Sequence, residues 1–277
     1  MSIFINEQTK RVLDKVFKNQ PHALLLSGPV GVGTRTVLDS YLNDSQQLLI
    51  SVLPEKDEKV DLEKGTVTVE SIRRLYDTSR TIEPRSRTII IDYAERMAVP
   101  AQNAFLKLLE EPPHDTRFIL LSHEPARLLP TIRSRVQEIA LRPITTAQSQ
   151  LLLDTLGVND QTLRSQLLFI ADGLPAELTR LAQNPEQFSK RAAIVRDARQ
   201  LVQGSSYERL VLAKKYKDTR ADASMLLQDA AKQLSQTIMK NSSAKLLVSL
   251  EKIITTHASL QQQGNIRLQL SNLVVLS

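Results

Sequence analysis

The sequence predicts an α/β fold, in which a parallel β-sheet domain is followed by a small helical domain and a third domain made only of helices. Two apolar runs, residues 89–91 and 118–122, are bounded by charged and turn residues, as expected of strands buried on both faces of a parallel sheet. A third apolar run, residues 23–27, leads directly into a glycine-rich turn and a helix. After residue 142 only helical patterns follow, so the predicted domains are 1–142, 143–184 and 185–277.

Length and composition limit the classes of protein and site to consider. With 277 residues, the chain is longer than a typical single domain, and two or three domains are expected. The absence of cysteine excludes disulfides and thiolate metal sites, and the four histidines lack ligand spacing, so no metal site is predicted. The start of the chain does not resemble a signal peptide, and no apolar run could span a bilayer, which predicts a soluble, cytoplasmic protein.

The formal net charge of +6 is compatible with an anionic partner such as DNA. A similar excess is common among proteins that bind no nucleic acid, and no interleaving of aromatic and basic residues indicates single-strand readout. A stand-alone DNA-binding module is therefore the weakest of three hypotheses, since a helix-turn-helix signature is missing as well.

Spacing and capping residues predict the elements that surround the first strand. A helix is predicted over residues 4–18, with Asn6 as its cap. A second strand is predicted over residues 48–52, and a solvated, charged loop follows over residues 54–65.

A further helix is predicted within residues 66–80, before a turn over residues 81–87. The turn carries Arg85 and Arg87, which could contact phosphate, but a plain surface turn is favoured there. A helix then connects the two central strands, and Pro112 with Pro113 ends it. Its apolar residues recur at helical spacing: Ala101, Ala104, Phe105, Leu108 and Leu109.

The glycine-rich turn after the first strand resembles a phosphate-binding loop, because its amides and the following helix could hold an anion. In the pattern G-x-x-x-x-G-K-[ST], however, the lysine position holds Thr34 and the hydroxyl position holds Arg35. One residue along a helix turns a side chain by about 100°, so Arg35 and Thr36 are expected to point away from the required positions. A degenerate site for ATP and Mg²⁺ is predicted at Gly28, Gly31, Gly33, Thr34, Arg35, Thr36 and Asp92.

Asp92 ends an apolar strand, as does the aspartate that positions Mg²⁺ in the second nucleotide motif. The next position, where a glutamate would polarise the attacking water, holds Tyr93. A phenol with a reference pKa of about 10 is a poor general base near neutral pH. Glu95 lies beyond the strand end, so the sequence gives no ground for placing it in the site. Because both motifs are altered in the same direction, the site is predicted not to hydrolyse ATP.

The motifs along residues 89–135 resemble the clamp-loader branch of the AAA+ ATPases, and within it the delta-prime family of bacterial DNA polymerase III. They are, in order, Ile-Ile-Ile-Asp92, Asn103-Ala-Phe-Leu-Lys-Leu-Leu-Glu-Glu-Pro-Pro113, Phe118-Ile-Leu-Leu, and Leu129-Pro-Thr-Ile-Arg-Ser134-Arg135. The resemblance covers residues 4–180, and the last third agrees only in being helical. It implies a P-loop AAA+ sheet domain, a helical lid and a C-terminal collar that joins subunits into a ring.

The resemblance also implies roles for individual residues. The family's Ser-Arg-Cys motif corresponds to Ser134, Arg135 and Val136, and Arg135 would act in trans as an arginine finger at the ATP of the adjacent subunit. Valine in place of cysteine is interpreted as a packing substitution. His123 stands at the first sensor position, usually Thr or Asn, and is given no role. Ala176 stands where active relatives carry a sensor arginine, and the family's four-cysteine zinc module is absent.

The implied function is a non-hydrolysing subunit of the DNA polymerase III holoenzyme that requires no cofactor and assists loading of a sliding clamp on primed DNA. Its implied partners are gamma/tau and delta subunits in a pentameric ring, the sliding clamp, and DNA contacted through the assembly. The alternative is a catalytically active motor of the gamma/tau type that uses Arg35 and Thr36. Taken by itself, Arg135 would be interpreted as a surface salt bridge, whereas its place in the ordered set of motifs favours the arginine finger.

Overall fold

The computed structural model describes residues 3–43, 47–62, 64–80, 86–240, 243–261 and 264–274. The chain divides into two compact units, Met1–Ala182 and Gln183–Ser277. The first unit contains a parallel sheet with its covering helices, and the described part of the second is helical. No helix within these ranges is long and apolar enough to cross a membrane.

The main sheet of the first unit has five parallel strands in the order β2-β5-β6-β1-β7, and a separate antiparallel hairpin joins β3 to β4. The strands are β1 (Ala23–Ser27), β2 (Leu48–Val52), β3 (Glu55–Lys56), β4 (Lys59–Val60), β5 (Arg87–Ile91), β6 (Thr116–Ser122) and β7 (Gln137–Ala140). The helices are α1 (Glu7–Asn19), α2 (Thr34–Leu42), α3 (Val69–Arg80), α4 (Val99–Glu110), α5 (Pro130–Arg133), α6 (Thr146–Thr155), α7 (Gln161–Ala171) and α8 (Pro175–Gln183).

Alternate residues of the central strands enter two separate cores. On one face Ile89 and Phe118 pack with α3 and α4, and on the other Ile90 and Ile119 pack with α1 and α2. Phe105 of α4 meets Phe118 edge to face, with ring centroids 5.3 Å apart. Since successive strand residues point to opposite faces, burial on both sides requires the continuous apolar runs seen in the sequence. The predicted parallel sheet with covering helices is confirmed.

Three details of the first unit differ from the sequence predictions. Helix α1 begins at Glu7 rather than at residue 4, because the Asn6 side chain accepts a hydrogen bond from the Gln8 amide at 3.1 Å and caps the helix there. The charged loop contains the hairpin β3–β4. Arg87 begins β5 and is buried, so it does not lie on a surface turn that could contact phosphate. The predicted turn residues 81–85 lie outside the described residues.

Helices α6 to α8 pack within the same unit as the sheet. Thr145 and Gln148 form a reciprocal capping box at the start of α6, and Gln148 Nε2 also donates to the Ile5 carbonyl at 3.0 Å. Between α7 and α8, Gly173 has a φ of +82°, and its amide donates to Ser149 Oγ at 3.0 Å. This left-handed residue turns the chain so that α8 starts beside the glycine-rich turn.

The described part of the second unit packs five helices around one apolar core. They are α9 (Pro185–Gln203), α10 (Ser206–Lys215), α11 (Arg220–Lys240), α12 (Ala244–Gln261) and α13 (Ile266–Ser271). Ser205 and Glu208 form a capping box that starts α10. The core side chains include Ala198, Leu201, Leu212, Leu226, Leu227, Leu234, Ile253, Leu260 and Leu270. These residues recur at helical spacing, which explains why the sequence pattern alone predicts helices here.

Tyr216 makes the stability of the second unit depend on pH. Its hydroxyl donates to Asp197 Oδ2 at 2.6 Å, and burial together with this bond raises the pKa of the Tyr216 phenol above its usual range. The unfolded phenol titrates near pH 10, so above about pH 10 the folded state binds more protons than the unfolded state. This stabilisation is complete below about pH 10 and is lost as the pH rises toward the folded pKa.

We therefore expect the unfolding temperature of the protein to fall more steeply between about pH 9 and about pH 11 than that of Tyr216→Phe. The comparison isolates this phenol, because other titrating groups are shared. Tyr207→Phe is the matched control, since the Tyr207 side chain is exposed, and its pH dependence should equal that of the parent protein. Equal slopes for the parent protein and Tyr216→Phe would contradict the assignment.

Candidate nucleotide site and arginine surface

The glycine-rich turn connects the carboxyl end of β1 to the start of α2, as the sequence predicts. Gly31 and Gly33 have φ values of +89° and +86°, a region that favours glycine because it has no Cβ. The Val32 amide donates to the Pro29 carbonyl at 3.1 Å and closes the turn. Thr34, at the position of the phosphate-binding lysine, is buried at the start of α2. The loop therefore has the shape of a phosphate loop without its lysine.

Arg35 is held against Asp92, contrary to the prediction that its side chain points away from the site. Its Nη1 donates to Asp92 Oδ2 at 3.3 Å, its Nε donates to Asp39 Oδ1 at 2.9 Å, and its Nη2 donates to Ser51 Oγ at 3.3 Å. Asp92 is the carboxylate that would position Mg²⁺ in an active relative. A guanidinium has no lone pair with which to bind a metal, so Arg35 competes with the ion for this carboxylate.

Tyr93 occupies the position of the polarising glutamate. It has a φ of +51°, and its ring lies edge-on to the His123 ring, 6.0 Å between centroids, with the Arg96 guanidinium 5.0 Å from its centre. Burial, with a smaller contribution from Asp92, raises the pKa of the Tyr93 phenol. The phenol therefore stays protonated near neutral pH and cannot take a proton from water.

His123 joins the end of β6 to the glycine-rich turn, and Glu95 contacts the His123 backbone; the sequence pattern assigns neither of them a role. His123 Nδ1 lies 2.9 Å from the Gly28 carbonyl oxygen, and since a carbonyl only accepts, Nδ1 carries the proton. The His123 amide donates to Glu95 Oε2 at 3.3 Å, so Glu95 does reach this region. Glu95 is buried, and its carboxylate is engaged by the backbone of the sensor position.

The start of α8 lies directly on the glycine-rich turn. The amides of Ala176 and Glu177 donate to the Gly31 carbonyl at 3.0 and 3.2 Å. A Cβ placed on Gly33 would lie 3.4 Å from Ala176 Cβ. Ala176, which the sequence places at the second sensor position, therefore presents a methyl group to the loop.

The contact between α8 and the turn predicts a large effect of Gly31→Ala. A Cβ at Gly31 would lie 2.7 Å from Glu177 Cβ, so either the turn or the helix must move. Gly157 has a φ of +72°, and a Cβ added there would meet no atom within 4 Å, so Gly157→Ala carries only the backbone strain. We expect Gly31→Ala to lower the free energy of unfolding by about 1–3 kcal/mol more than Gly157→Ala, measured by urea denaturation. Equal losses would mean that α8 does not rest on the turn in solution.

Arg135 follows the short helix α5 and lies at the surface. Its Nη2 is 2.8 Å from Glu110 Oε1, and its Nη1 donates to the Thr131 carbonyl at 3.0 Å. The Arg135 and Glu110 side chains are 39% and 51% exposed. Ser134 Oγ donates to the same Thr131 carbonyl at 3.0 Å, and Val136 is buried in the core as expected of a packing substitution. Arg135 borders an open groove lined by His22, Leu109, Glu110, Pro112 and Ser134.

Arg135 and the glycine-rich turn lie at opposite edges of the sheet. Strand β7 runs parallel to β1, with Leu24 opposite Gln137 and Ser27 opposite Ala140. Arg135 precedes β7 and so lies near the amino edge, whereas Gly28 follows β1 at the carboxyl edge. Five strand residues separate these edges by about 16 Å. The structure therefore brings together the residues of the degenerate loop and keeps Arg135 and Ser134 apart from them.

The model of the family described as DNA polymerase III, delta subunit, matches residues 5–145, about half of the chain. The chain belongs to this family. It is 31% identical to the DNA polymerase III subunit delta' of Pseudomonas aeruginosa over 208 residues, which are 65% of this chain and 61% of that protein. It is 34% identical to the subunit delta' of Bacillus subtilis over 116 residues, 42% of this chain and 34% of that protein. The delta-prime resemblance of the motifs is confirmed.

This delta-family chain also matches gamma/tau subunits. Identity to the DNA polymerase III subunit gamma/tau of Mycobacterium tuberculosis strain H37Rv is 31% over 140 residues, 44% of this chain and 24% of that protein. In each of these three matches, the chain covers less than two thirds of the relative's length. The family that these comparisons show for the chain is that of DNA polymerase III delta subunits, with weaker coverage of gamma/tau subunits.

Solved structures are similar in fold to this delta-family chain. A gamma subunit-related protein of DNA polymerase III from Thermotoga maritima covers 97% of both chains, with a TM-score of 0.57 and 20% identity. The Holliday junction branch migration motor RuvB of Thermotoga maritima covers 71% of this chain and 74% of that chain, with a TM-score of 0.51 and 13% identity. At these identities the likeness concerns the fold alone.

Sequence reasoning located most of the residues that meet at these sites, but not the contacts between them. The pairs Arg35–Asp92, His123–Gly28 and Arg135–Glu110 each join separate elements. For the pair Arg35–Asp92, the sequence offers one signal, which is the arginine at the position where a phosphate loop carries a hydroxyl. Within the described residues, no group of three or more His, Asp or Glu side chains is arranged to hold a metal ion.

Proposed function

We propose that this clamp-loader subunit does not hydrolyse ATP in its own loop and donates Arg135 to the nucleotide of a neighbouring subunit. The observation that carries the proposal is the place of Arg135, exposed at the edge of the sheet opposite its own phosphate loop. An arginine side chain is much shorter than the strands that separate the two edges. Arg135 can therefore reach a nucleotide only on another subunit.

The chemistry of the donor fits phosphoryl transfer. A guanidinium stays protonated at every physiological pH and presents planar, paired N–H donors to phosphate oxygens. Placed at the γ-phosphate, it stabilises the negative charge that develops as the phosphoryl group leaves. Arg135 needs no rearrangement of the core to do this, because its contacts are to surface groups of α4 and α5.

The residues of the chain's own loop do not fit Mg²⁺-nucleotide. Thr34 supplies no charge to the phosphates, and Arg35 occupies the carboxylate of Asp92. Tyr93 cannot act as a base, and Ala176 brings a methyl group to the loop. No step of ATP hydrolysis is assigned to this site, and the subunit requires no cofactor of its own.

The proposed partners are gamma/tau and delta subunits, arranged as a pentameric ring that loads a sliding clamp on primed DNA. The helices within residues 143–184 would form the lid, and residues 185–277 the collar through which subunits associate. Exposed apolar side chains on α10 and α12 support a collar that buries surface against neighbours. They are Tyr207, Leu210, Val211, Leu247, Val248 and Ile254.

A catalytically active motor of the gamma/tau type is the second candidate, because gamma/tau relatives match 44% of the chain. The ion pair between Arg35 and Asp92 counts against it. Calorimetric titration of the isolated chain with ATP and Mg²⁺ separates the two, since binding with turnover would support the motor. The donor role is tested by assembling the loader with Arg135→Ala and measuring ATP hydrolysis.

A further inference from the structure

The guanidinium of Arg135 is held by its own chain from two elements. Glu110, the last residue of α4, contacts Nη2 at 2.8 Å, and Thr131 of α5 accepts from Nη1 at 3.0 Å. We propose that Glu110 is a positioning residue that aims Arg135 at the neighbour's nucleotide. This inference rests on the proposed donor role of Arg135 and adds a second side chain to it.

The contacts leave the guanidinium able to bind phosphate. Arginine has five N–H donors. Among the residues that the structure describes, three groups contact the guanidinium: Glu110, the Thr131 carbonyl and Ser134 Oγ, which is 3.5 Å from Nη1. At least two donors therefore remain for phosphate oxygens. The Glu110 carboxylate therefore orients the guanidinium and still leaves N–H donors for phosphate.

Glu110 stands on a rigid support. The residues before it, Phe105, Leu108 and Leu109, are almost fully buried in the core beneath the sheet. Its carboxylate is thereby placed by the packing of α4 rather than by a loop. Supporting groups that stand on packed helices hold a reacting side chain most closely to one geometry.

Stability gives little reason for the pair. Both side chains are substantially exposed, and exposed ion pairs contribute almost nothing to the free energy of folding. A free arginine side chain, in contrast, samples many rotamers and must be ordered before it can act. The ion pair between Arg135 and Glu110 thus contributes more to the orientation of Arg135 than to the stability of the fold.

The test uses the complete loader, reconstituted with its partner subunits and stimulated by clamp and primed DNA. Glu110→Gln is expected to lower kcat for ATP by about three- to tenfold with KM unchanged. The guanidinium stabilises charge that develops in the transition state, so the loss of its orientation slows the chemical step without weakening ATP binding. Glu111→Gln, at the next and likewise exposed position outside this ion pair, is the matched control and should behave as the parent loader. Assembly and thermal unfolding should be the same for all three proteins.

A double-mutant cycle separates the possible failures. In an Arg135→Ala loader, adding Glu110→Gln should change the rate no further, since the side chain that it positions is gone. If Arg135→Ala alone leaves the rate unchanged, the donor role itself is wrong. If Arg135→Ala lowers the rate but Glu110→Gln leaves it unchanged or raises it, only the positioning role is wrong. A further loss in the double variant would likewise overturn it, because Glu110 would then act through another group.

Discussion

Replacing Arg135 by alanine is expected to lower the clamp- and DNA-stimulated ATPase of the reconstituted loader by one to several orders of magnitude at the site it faces, about 10- to 1,000-fold. The reason is that the transferring phosphoryl group loses the cation that Arg135 would place beside it. Single-turnover hydrolysis with saturating ATP measures the loss in the chemical step directly. ATP binding by the loader should change much less.

Two variants sharpen this experiment. Arg133→Ala removes the same charge two residues earlier, from an exposed ion pair with Glu138, and should leave the rate near that of the parent loader. Arg135→Lys keeps the charge but not the planar fork, so an intermediate rate is expected. If Arg135→Ala hydrolyses ATP as fast as the parent loader, Arg135 is a surface salt bridge and nothing more.

Restoring the phosphate loop is expected to strengthen nucleotide binding by the isolated chain. Thr34→Lys returns a cation to the β- and γ-phosphates, and Arg35→Thr returns a hydroxyl for Mg²⁺ while it frees Asp92. Each recovered charged contact contributes about 1.5–3 kcal/mol, so together the two changes should raise affinity by about 100-fold or more. Isothermal titration with ATP, with and without Mg²⁺, measures both the gain and its dependence on the metal.

The single variant Thr34→Lys serves as the matched control for this gain. It leaves the Arg35 guanidinium on Asp92, so any binding it acquires should be insensitive to Mg²⁺. The double variant should still not turn over ATP, because Tyr93 remains where a base is needed. Micromolar binding and turnover by the unmodified chain would contradict the proposal of an idle loop.

Much of the first unit could be predicted because its apolar patterns are local. The continuous runs in β1, β5 and β6 predict strands buried on both faces, and the turn with Gly31 and Gly33 marks the passage to a helix. The apolar spacing predicts a start of α1 that is too early, because the hydrogen bond accepted by the Asn6 side chain decides where the helix begins. The sequence predicts a turn at Arg87, since a charged residue beside a strand end gives no local sign that it is buried.

The site was less predictable, because its contacts join distant positions. Arg35 and Asp92 are 57 residues apart, and His123 and Gly28 are 95 apart, so neither pair leaves a local pattern. These pairs form because parallel strands bring their carboxyl ends together in an order that spacing does not encode. Motif resemblance located Arg135, but its contact with Glu110 depends on how α4 and α5 pack.

Arg135 and the glycine-rich turn lie at opposite ends of the strands, so a ring in which Arg135 of one protomer meets the turn of the next has a direction. Contacts that join one edge of a protomer to the other edge of the next are heterologous. In each such contact one protomer contributes the arginine and the other contributes the nucleotide site. A protomer whose receiving edge is inactive contributes to one productive junction instead of two. Under the proposed function, the interface at this chain's own loop would be inactive. The interfaces of the ring would then not be equivalent, and the series of active ATP sites would end at this chain.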